Sequence, residues 1–401
     1  MRLLIIRKRG IFMETLSVSK AAQSALPSGI RKMFEKANQY EDTINLSIGE
    51  PGFTTPKPII EVAVSNLRAG KTKYTSNAGI VELRNALAKK MYEENGIKCD
   101  PDKNIIVTAG ATQALMLALT TLVNPGDEVI IPDPAWPDYL GQVQMVNATP
   151  VYAPLKEDNE FKMTADVIEP LITDKTKLIM LNSPSNPTGA VLDENELREI
   201  AEMIKKHKVF IISDEPYEKL LYDDNKHFSL ASLDGIEDYV LTINSFSKTF
   251  AMTGWRVGYA VGNETIISNM IKLHENMIAS INEAFQLAAV SALEVAEEDV
   301  AMMRDYYDKN RKLVVEGLNK INGFSCIMPR GAFYAFPNIT GFNMSSEEVA
   351  NMILDKTGVI TAPGSAFGAA GEGFLRISYA NDTESIIEAL KRLENEFGLK
   401  E

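Results

Sequence analysis

Along this chain, short runs of apolar residues alternate with stretches in which apolar positions recur every three to four residues. Between about Lys103 and Ile281 the runs are Ile105–Val107, Glu128–Ile131, Thr149–Tyr152, Lys177–Leu181, Val209–Ser213, Val240–Ile243 and Arg256–Val261. Runs this short and this apolar predict strands covered on both faces. The stretches between them have helical periodicity. In Glu194 to His207, for example, Leu197, Ile200, Ala201 and Ile204 fall on one face. Such alternation predicts βαβ units and a mostly parallel sheet, with ligands at the carboxyl ends of its strands. Asn282–Asn319 reads as mostly helical, long enough to join two domains. From Gly323 onward, short strands (Ala332–Phe336, Gly358–Thr361, Phe374–Tyr379) mix with helices over Ser346–Thr357 and Thr383–Phe397. That mixture predicts a small α+β unit, against which the segment around Ile30–Ala37 would pack.

Composition narrows the function. A length of 401 residues accommodates two domains. The net charge of −13 argues against nucleic acid as a partner, because phosphate binding needs a basic surface. It leaves the charge of a small substrate open, since a local pocket can oppose the global sign. Cys99 and Cys326 lie far apart without a Cys-x-x-Cys, which fits a reducing cytoplasm better than a disulfide scaffold. His207, His227 and His274 have no ligand spacing, so no metal is expected. No apolar run approaches the roughly 18 residues of a spanning helix, and no membrane partner is expected. Met1–Phe12 lacks the core and cleavage site of a signal peptide. With Met13 as an alternative start, residues 1–12 read as an extension.

Five segments at predicted strand ends carry chemistry. Ser245-Phe246-Ser247-Lys248, followed by Gly254-Trp255-Arg256, places a lysine at the end of an apolar run with a hydroxyl and a guanidinium nearby. A lysine in a dry pocket sheds its proton and becomes a nucleophile toward aldehydes. Serine and arginine suit a phosphate dianion. Together they suggest pyridoxal phosphate, a phosphorylated aldehyde; a surface loop is the alternative. Thr108-Ala109-Gly110-Ala111 would let a phosphate approach a helix N-terminus, or would simply begin a helix. Asp214, ending the run before Glu215-Pro216-Tyr217, needs a cation such as a protonated pyridine nitrogen, or caps the next turn. Tyr217 is placed to reach the ring's phenolic oxygen, as is Asn186 in the sharp turn Asn182–Gly189. Arg376, inside Phe374–Ser378, suits bidentate capture of a carboxylate, or an internal ion pair.

In order along the chain stand Ile48-Gly49-Glu50-Pro51, Tyr74-Thr75 with Ala78-Gly79 and Leu83-Arg84, and Asn186-Pro187-Thr188-Gly189. They are followed by Ser213–Tyr217, Ser245–Lys248, Gly254–Gly258, Gly331–Tyr334 and Leu375–Tyr379. This set resembles the class I/II pyridoxal-phosphate aminotransferases of fold type I, nearest the bacterial aspartate, aromatic and broad-specificity subgroup. The resemblance implies an α/β fold with a large domain, its mostly parallel seven-stranded sheet flanked by helices, and a small α+β domain built from the terminal segments. The corresponding spans are 1–48 for the N-terminal segment joining the small domain, 49–285 for the large cofactor domain, 286–322 for the interdomain helix and 323–401 for the small domain.

The resemblance further implies that Lys248 bonds the cofactor's aldehyde and moves the substrate proton, and that Asp214 pairs with the ring nitrogen. Tyr217 and Asn186 would bind the ring oxygen, and Trp136 would stack on the ring face. Gly110, Ala111, Ser245, Ser247 and Arg256 would line the phosphate site, joined by Tyr74 from the other subunit of a homodimer. Arg376 would hold the substrate's α-carboxylate, with Gly49 and Asn186 helping. The implied activity is amino transfer between an L-amino acid, aromatic and/or aspartate, and a 2-oxo acid such as 2-oxoglutarate. The cofactor would alternate between aldehyde and amine forms in a ping-pong cycle in the cytoplasm.

Two positions depart from the pattern. Where several aspartate-specific members carry a lysine for the side-chain carboxylate, this chain has Thr112, which implies a broader or more apolar pocket, with Ile30 a candidate for its wall. Glu50-Pro51-Gly52 has glycine where aspartate is common. The same constellation also serves carbon–sulfur lyases and related fold-type I enzymes, and a non-catalytic cofactor-binding sensor is a remoter alternative.

Overall fold

The computed structural model describes residues 42–400, together with 18, 19, 22 and 40. The extension before Met13, the packing around Ile30–Ala37 and the wall position of Ile30 lie outside the described residues.

After a short strand β1 (Ile44–Asn45), seven strands build the main sheet: β2 (Ile105–Thr108), β3 (Glu128–Asp133), β4 (Thr149–Pro154), β5 (Thr176–Asn182), β6 (Phe210–Asp214), β7 (Val240–Ser245) and β8 (Gly258–Val261). Their spatial order is 2-8-7-6-5-3-4. Strands β7, β6, β5, β3 and β4 are mutually parallel, and β8 runs antiparallel between β2 and β7. Side chains alternate across each strand, so Val129 and Ile131 enter one core with Leu115 and Met270. Ile130 enters the opposite core with Ile200 and Ile204. Covering both faces explains the apolar interiors of β2, β3 and β5 to β8, whereas the edge strand β4 is mostly exposed.

The covering helices begin where the sequence supplies a cap. Asp193 accepts from Glu196 N while the Glu196 side chain accepts from Asp193 N, starting the helix Glu194–His207, which buries Leu197, Ile200, Ala201 and Ile204. Ser345 and Glu348 repeat the device at Ser346–Thr357. The helical stretch after Asn282 is two helices, Glu283–Val295 and Glu297–Lys320, interrupted at Ala296.

The C-terminal part has a separate core, in which Leu375, Ile377, Ile353, Leu354 and Leu318 pack together with Leu46. Its strands are β9 (Tyr334–Ala335), β10 (Val359–Ile360), β11 (Ala362–Pro363) and β12 (Leu375–Ser378). β12 lies between β11 and β9, antiparallel to both, while β1 pairs in parallel with β10. This pairing carries the chain just before Ser47–Gly49 to the edge of the main sheet's carboxyl ends. Among the described residues, no helix is long and apolar enough to cross a membrane.

Candidate active site

A cavity of about 290 Å³ opens at the carboxyl ends of the parallel strands, lined among others by Gly49, Ala111, Trp136, Asn186, Asp214, Tyr217, Ser245, Ser247, Lys248, Arg256 and Arg376. Eleven of the thirteen residues expected from the sequence thus meet in one place. Gly110 stands directly behind Arg256, and Tyr74 is 88% exposed and outside this cavity.

Strand β7 ends at Ser245, whose Oγ accepts from Ser247 N at 3.0 Å and caps the single turn Phe246–Thr249. That turn aims Lys248 into the cavity, where Nζ donates to Gly49 O at 2.7 Å. Burial lowers the lysine's pKa to about 8, helped by the positive charges of Arg376 and Arg256 and opposed by Glu50. The amine therefore reaches its neutral, nucleophilic form far more easily near physiological pH than an ordinary lysine does.

Asp214 ends β6 and is buried. Tyr139 donates its hydroxyl to Oδ2 at 2.5 Å, whereas Oδ1 is buried with no partner. Burial raises the carboxyl to about 7, against the Tyr139 hydrogen bond and with the help of Glu215's charge. No cationic side chain pairs with Asp214 among the described residues, so the cap alternative leaves this carboxylate unexplained. Three residues on, the Tyr217 hydroxyl lies 2.9 Å from that of Tyr334.

The phosphate-like end is made by one reversed strand. Because β8 is antiparallel, its beginning lies at the same edge as the ends of β2 and β7, and Gly258 is in register with both Thr108 and Ser245. Arg256 precedes it in left-handed conformation (φ 56°), with Nη1 on Thr253 O at 2.9 Å and Nη2 on Ala109 O at 3.3 Å. Gly110, at φ +79°, begins the helix Ala111–Leu122; a Cβ there would lie 2.6 Å from Arg256 Nη2. A Cβ on Gly258 would lie 2.6 Å from the Gly110 carbonyl carbon. The result is a cradle of helix N–H groups, two serines and a guanidinium that no carboxylate pairs with among the described residues.

Arg376, on β12, closes the opposite end. It is 2% exposed; Nη1 donates to Asn186 Oδ1 at 3.0 Å, Nη2 to Ser47 O, and Nε has no partner. The guanidinium lies 4.7 Å from both the Tyr334 and Phe367 ring centroids. Among the described residues it forms no ion pair, so the internal pairing considered above finds no acidic partner there. A buried cation with no anion is costly and fits an anionic ligand.

Tyr139 and Tyr334 had no role in the sequence reading. Tyr139 lies one turn beyond Trp136, whose ring meets it edge-on at 5.5 Å. The signal available was that three-residue spacing in Trp136-Pro137-Asp138-Tyr139. Tyr334 stood within Gly331–Tyr334 without an assigned partner. Ile48, Thr112, Asn182, Pro216 and Thr253 complete the lining.

An orphaned carboxylate oxygen, an amine that gives up its proton readily and an anion cradle fit a phosphorylated pyridine aldehyde. Such a site on this sheet is that of a cofactor-dependent enzyme whose one cavity also holds a buried guanidinium at its other end. Residues 41–393 match the family model described as aminotransferase class I and II. An aspartate aminotransferase of Pyrococcus abyssi is 44% identical over 92% of this chain and 95% of its own length. An aromatic-amino-acid aminotransferase of Thermococcus litoralis is 41% identical, covering 94% and 98%. The crystal structure of Thermus thermophilus aspartate aminotransferase with maleate superposes with a TM-score of 0.90 at 36% identity, covering 95% of this chain and 100% of that one. The chain belongs to the class I and II aminotransferases, with the fold of the type I members. It is a pyridoxal-phosphate-dependent transaminase, and its substrates are amino acids and 2-oxo acids.

Proposed function

We propose that this transaminase exchanges the amino group of an aromatic amino acid, and of aspartate, with a 2-oxo acid such as 2-oxoglutarate. The observation that carries the reading is Arg376, a buried guanidinium that pairs with no carboxylate among the described residues, in a cavity whose lining also includes Ile48, Thr112, Trp136 and Tyr334. Apart from Lys248, Arg256 and Arg376, no described lining residue is a cation. A side-chain carboxylate would thus find no dedicated partner from this chain, while an aromatic ring would find apolar and aromatic surface. Aspartate and aromatic-amino-acid transfer by the relatives supports both donors.

Pyridoxal phosphate, when bound, supplies the electron sink for the pair left at the substrate's α-carbon. Asp214 would hold a positive ring nitrogen against Oδ1. Tyr217 and Asn186 would orient the ring oxygen, and Trp136 would cover one face. Gly110, Ala111, Ser245, Ser247 and Arg256 would bind the phosphate, with Tyr74 reaching the same group in a partner subunit, for which its exposed ring is available. Arg376, with Gly49 and Asn186, would hold the α-carboxylate. Lys248, freed as a neutral amine, would take the α-proton and return it, across the intervening nitrogen, to the cofactor's aldehyde carbon. The organisation proposed is a large domain over 49–285, a joining helix over 286–322 and a small domain from 1–48 and 323–401, acting as a cytoplasmic homodimer.

The test is an absorption scan of the loaded enzyme with single substrates. A cofactor band that shifts with phenylalanine, tyrosine or aspartate, and reverts with 2-oxoglutarate, is the expected result. Ammonia or thiol release without a 2-oxo acid would overturn amino transfer. Initial rates should give parallel double-reciprocal lines.

A further inference from the structure

The turn that presents Asp214 and Tyr217 to the cavity has a second face. Ser213, Glu215 and Glu218 point away from the cofactor into a buried polar cluster. Glu215 is 1% exposed; Oε1 accepts from Ser213 Oγ at 2.8 Å, and Oε2 from Ser229 Oγ at 2.7 Å. His227 Nε2 lies 2.8 Å from the same Oε2 and 3.1 Å from Ser229 Oγ. Glu218 receives Lys90 Nζ on Oε1 and Asn95 Nδ2 on Oε2 at 2.8 Å. Asn95 also bonds Lys90 Nζ and Ser229 Oγ, both at 2.8 Å, so the two glutamates share one network.

The charges in this network have one balanced state. Glu215 and Glu218 carry two negative charges and Lys90 supplies one positive charge, while Glu94, 4.0 Å from Lys90 Nζ, is balanced by Lys219 at 2.8 Å. Only an imidazolium at His227 completes the neutrality that a buried cluster requires. The charged groups facing His227 are Glu215 and Glu218 from the turn and Lys90 from the helix Val81–Asn95; Ser229 and Asn95 are neutral. Although burial opposes protonation of the imidazole, Glu215 and then Glu218 raise its pKa overall. Glu215, Glu218 and His227 are close enough to ligate a cation. The Lys90 ammonium already occupies the open side of Glu218, which disfavours a divalent ion there.

We propose that His227 is a positioning residue for transamination: as an imidazolium it balances Glu215, and so keeps Asp214 ionised toward the cofactor's ring nitrogen. The inference rests on the assignment of Asp214 to that nitrogen. Glu215 adjoins Asp214, and an unbalanced charge on Glu215 would favour the protonated form of Asp214. Chemistry would then lose the anion that holds the ring proton, although His227 touches neither substrate nor cofactor.

Two measurements test this. In the apoprotein, histidine ring NMR with His227 identified by its loss in His227→Gln should show it still protonated at pH 7, titrating above an ordinary histidine. A neutral His227 at pH 7 would overturn the proposal without any variant enzyme being assayed. In the holoenzyme, His227→Gln keeps a donor to Glu215 but removes the charge. It should lower kcat about tenfold with KM within about twofold, and shift the midpoint of the cofactor's absorption titration by about one pH unit. Ser229→Ala, which leaves the imidazolium in place, should shift that midpoint far less. Equal shifts in the two variants, or no shift in His227→Gln, would overturn the proposal. Asp214→Asn separates the underlying assignment: if it leaves the absorption titration unchanged, the Asp214 reading itself fails; if it abolishes the titration while His227→Gln does nothing, only the His227 proposal falls.

Discussion

Tyr139 donates its hydroxyl to Asp214 Oδ2 at 2.5 Å and leaves Oδ1 of the same carboxylate buried without a partner. One oxygen is thus fixed by the protein while the other is free for a ligand. Tyr139→Phe keeps the ring that packs on Trp136 and deletes only the donor. A hydrogen bond to a charged group contributes about 1.5–3 kcal/mol. The expected outcome is a roughly 10- to 100-fold weaker hold on pyridoxal phosphate, read by spectroscopic titration of the apoenzyme, with a parallel loss of kcat.

Lys248 should make the apoprotein more stable as pH rises. Its pKa is about 8 in the fold against 10.5 for an ordinary lysine. Between those values the unfolded chain binds the extra proton, so stability increases with pH across that window. Below about 8 the penalty for burying the ammonium is present in full. Lys248→Met should therefore raise the melting temperature of the apoprotein at pH 7, and the advantage should shrink toward pH 10. Equal melting of the two proteins at pH 7 would contradict this.

Arg376→Lys retains the charge and loses the planar fork. Bidentate recognition and the packing between Tyr334 and Phe367 would both go. KM for amino acid and 2-oxo acid alike is expected to rise roughly 100-fold, with cofactor affinity unchanged. Steady-state kinetics and cofactor titration on one preparation check both halves of the statement.

Thr112→Lys adds a cation to a pocket wall that lacks one. The expected change is a gain in kcat/KM for aspartate relative to phenylalanine of roughly 10-fold or more, the size of one charge-assisted hydrogen bond. Competition between the two amino acids in one reaction reads the ratio directly. A wild-type enzyme that already prefers aspartate strongly would refute the broad-specificity reading.

Glu218 predicts an acid limb of stability. Burial raises its pKa, but Lys90 and His227, with the hydrogen bonds from Asn95 and Lys90, overcome that and bring it down to about 2. The resulting stabilisation is present above about pH 4.5 and is lost as pH falls toward 2. Lys90→Met leaves the buried carboxylate without its ammonium, holding only the Asn95 hydrogen bond and the His227 charge, at a cost of up to about 3–5 kcal/mol. Urea unfolding at pH 7 and pH 4 should show that cost largest at the higher pH.

Local pattern made the frame of this molecule visible. Strands β2, β3 and β5 to β7 coincide with apolar runs because both faces of the sheet are covered there, and Ser346–Thr357 and Thr383–Phe397 begin at capping residues and end before Gly358 and Gly398. The last strand starts at Gly258 rather than Arg256, because Arg256 adopts a left-handed conformation that no apolar pattern announces. The break at Ala296 has no glycine or proline to mark it. Within the site, Lys248, Asp214 and Arg376 were conspicuous as polar residues at the ends of, or inside, apolar strands. Tyr139 was hidden because its partner Asp214 is 75 residues away and an aromatic on a helix reads as core. His227 was hidden for the same reason: its meaning lies in Glu215 and Lys90, which no spacing of histidines reveals.

The reversed strand β8 has a consequence for how the two ligands are gripped. Lys248 and Arg256 sit on one short excursion of chain between adjacent strands, so the span from covalent anchor to phosphate anchor is a local dimension. Phe246 and Val257, which root that excursion, share one core, whereas Leu375 and Ile377, which root Arg376, belong to another. The cofactor's grip and the substrate's grip can therefore drift apart in evolution: repacking the second core can retune which acids are held while the chemistry-bearing end stays in register.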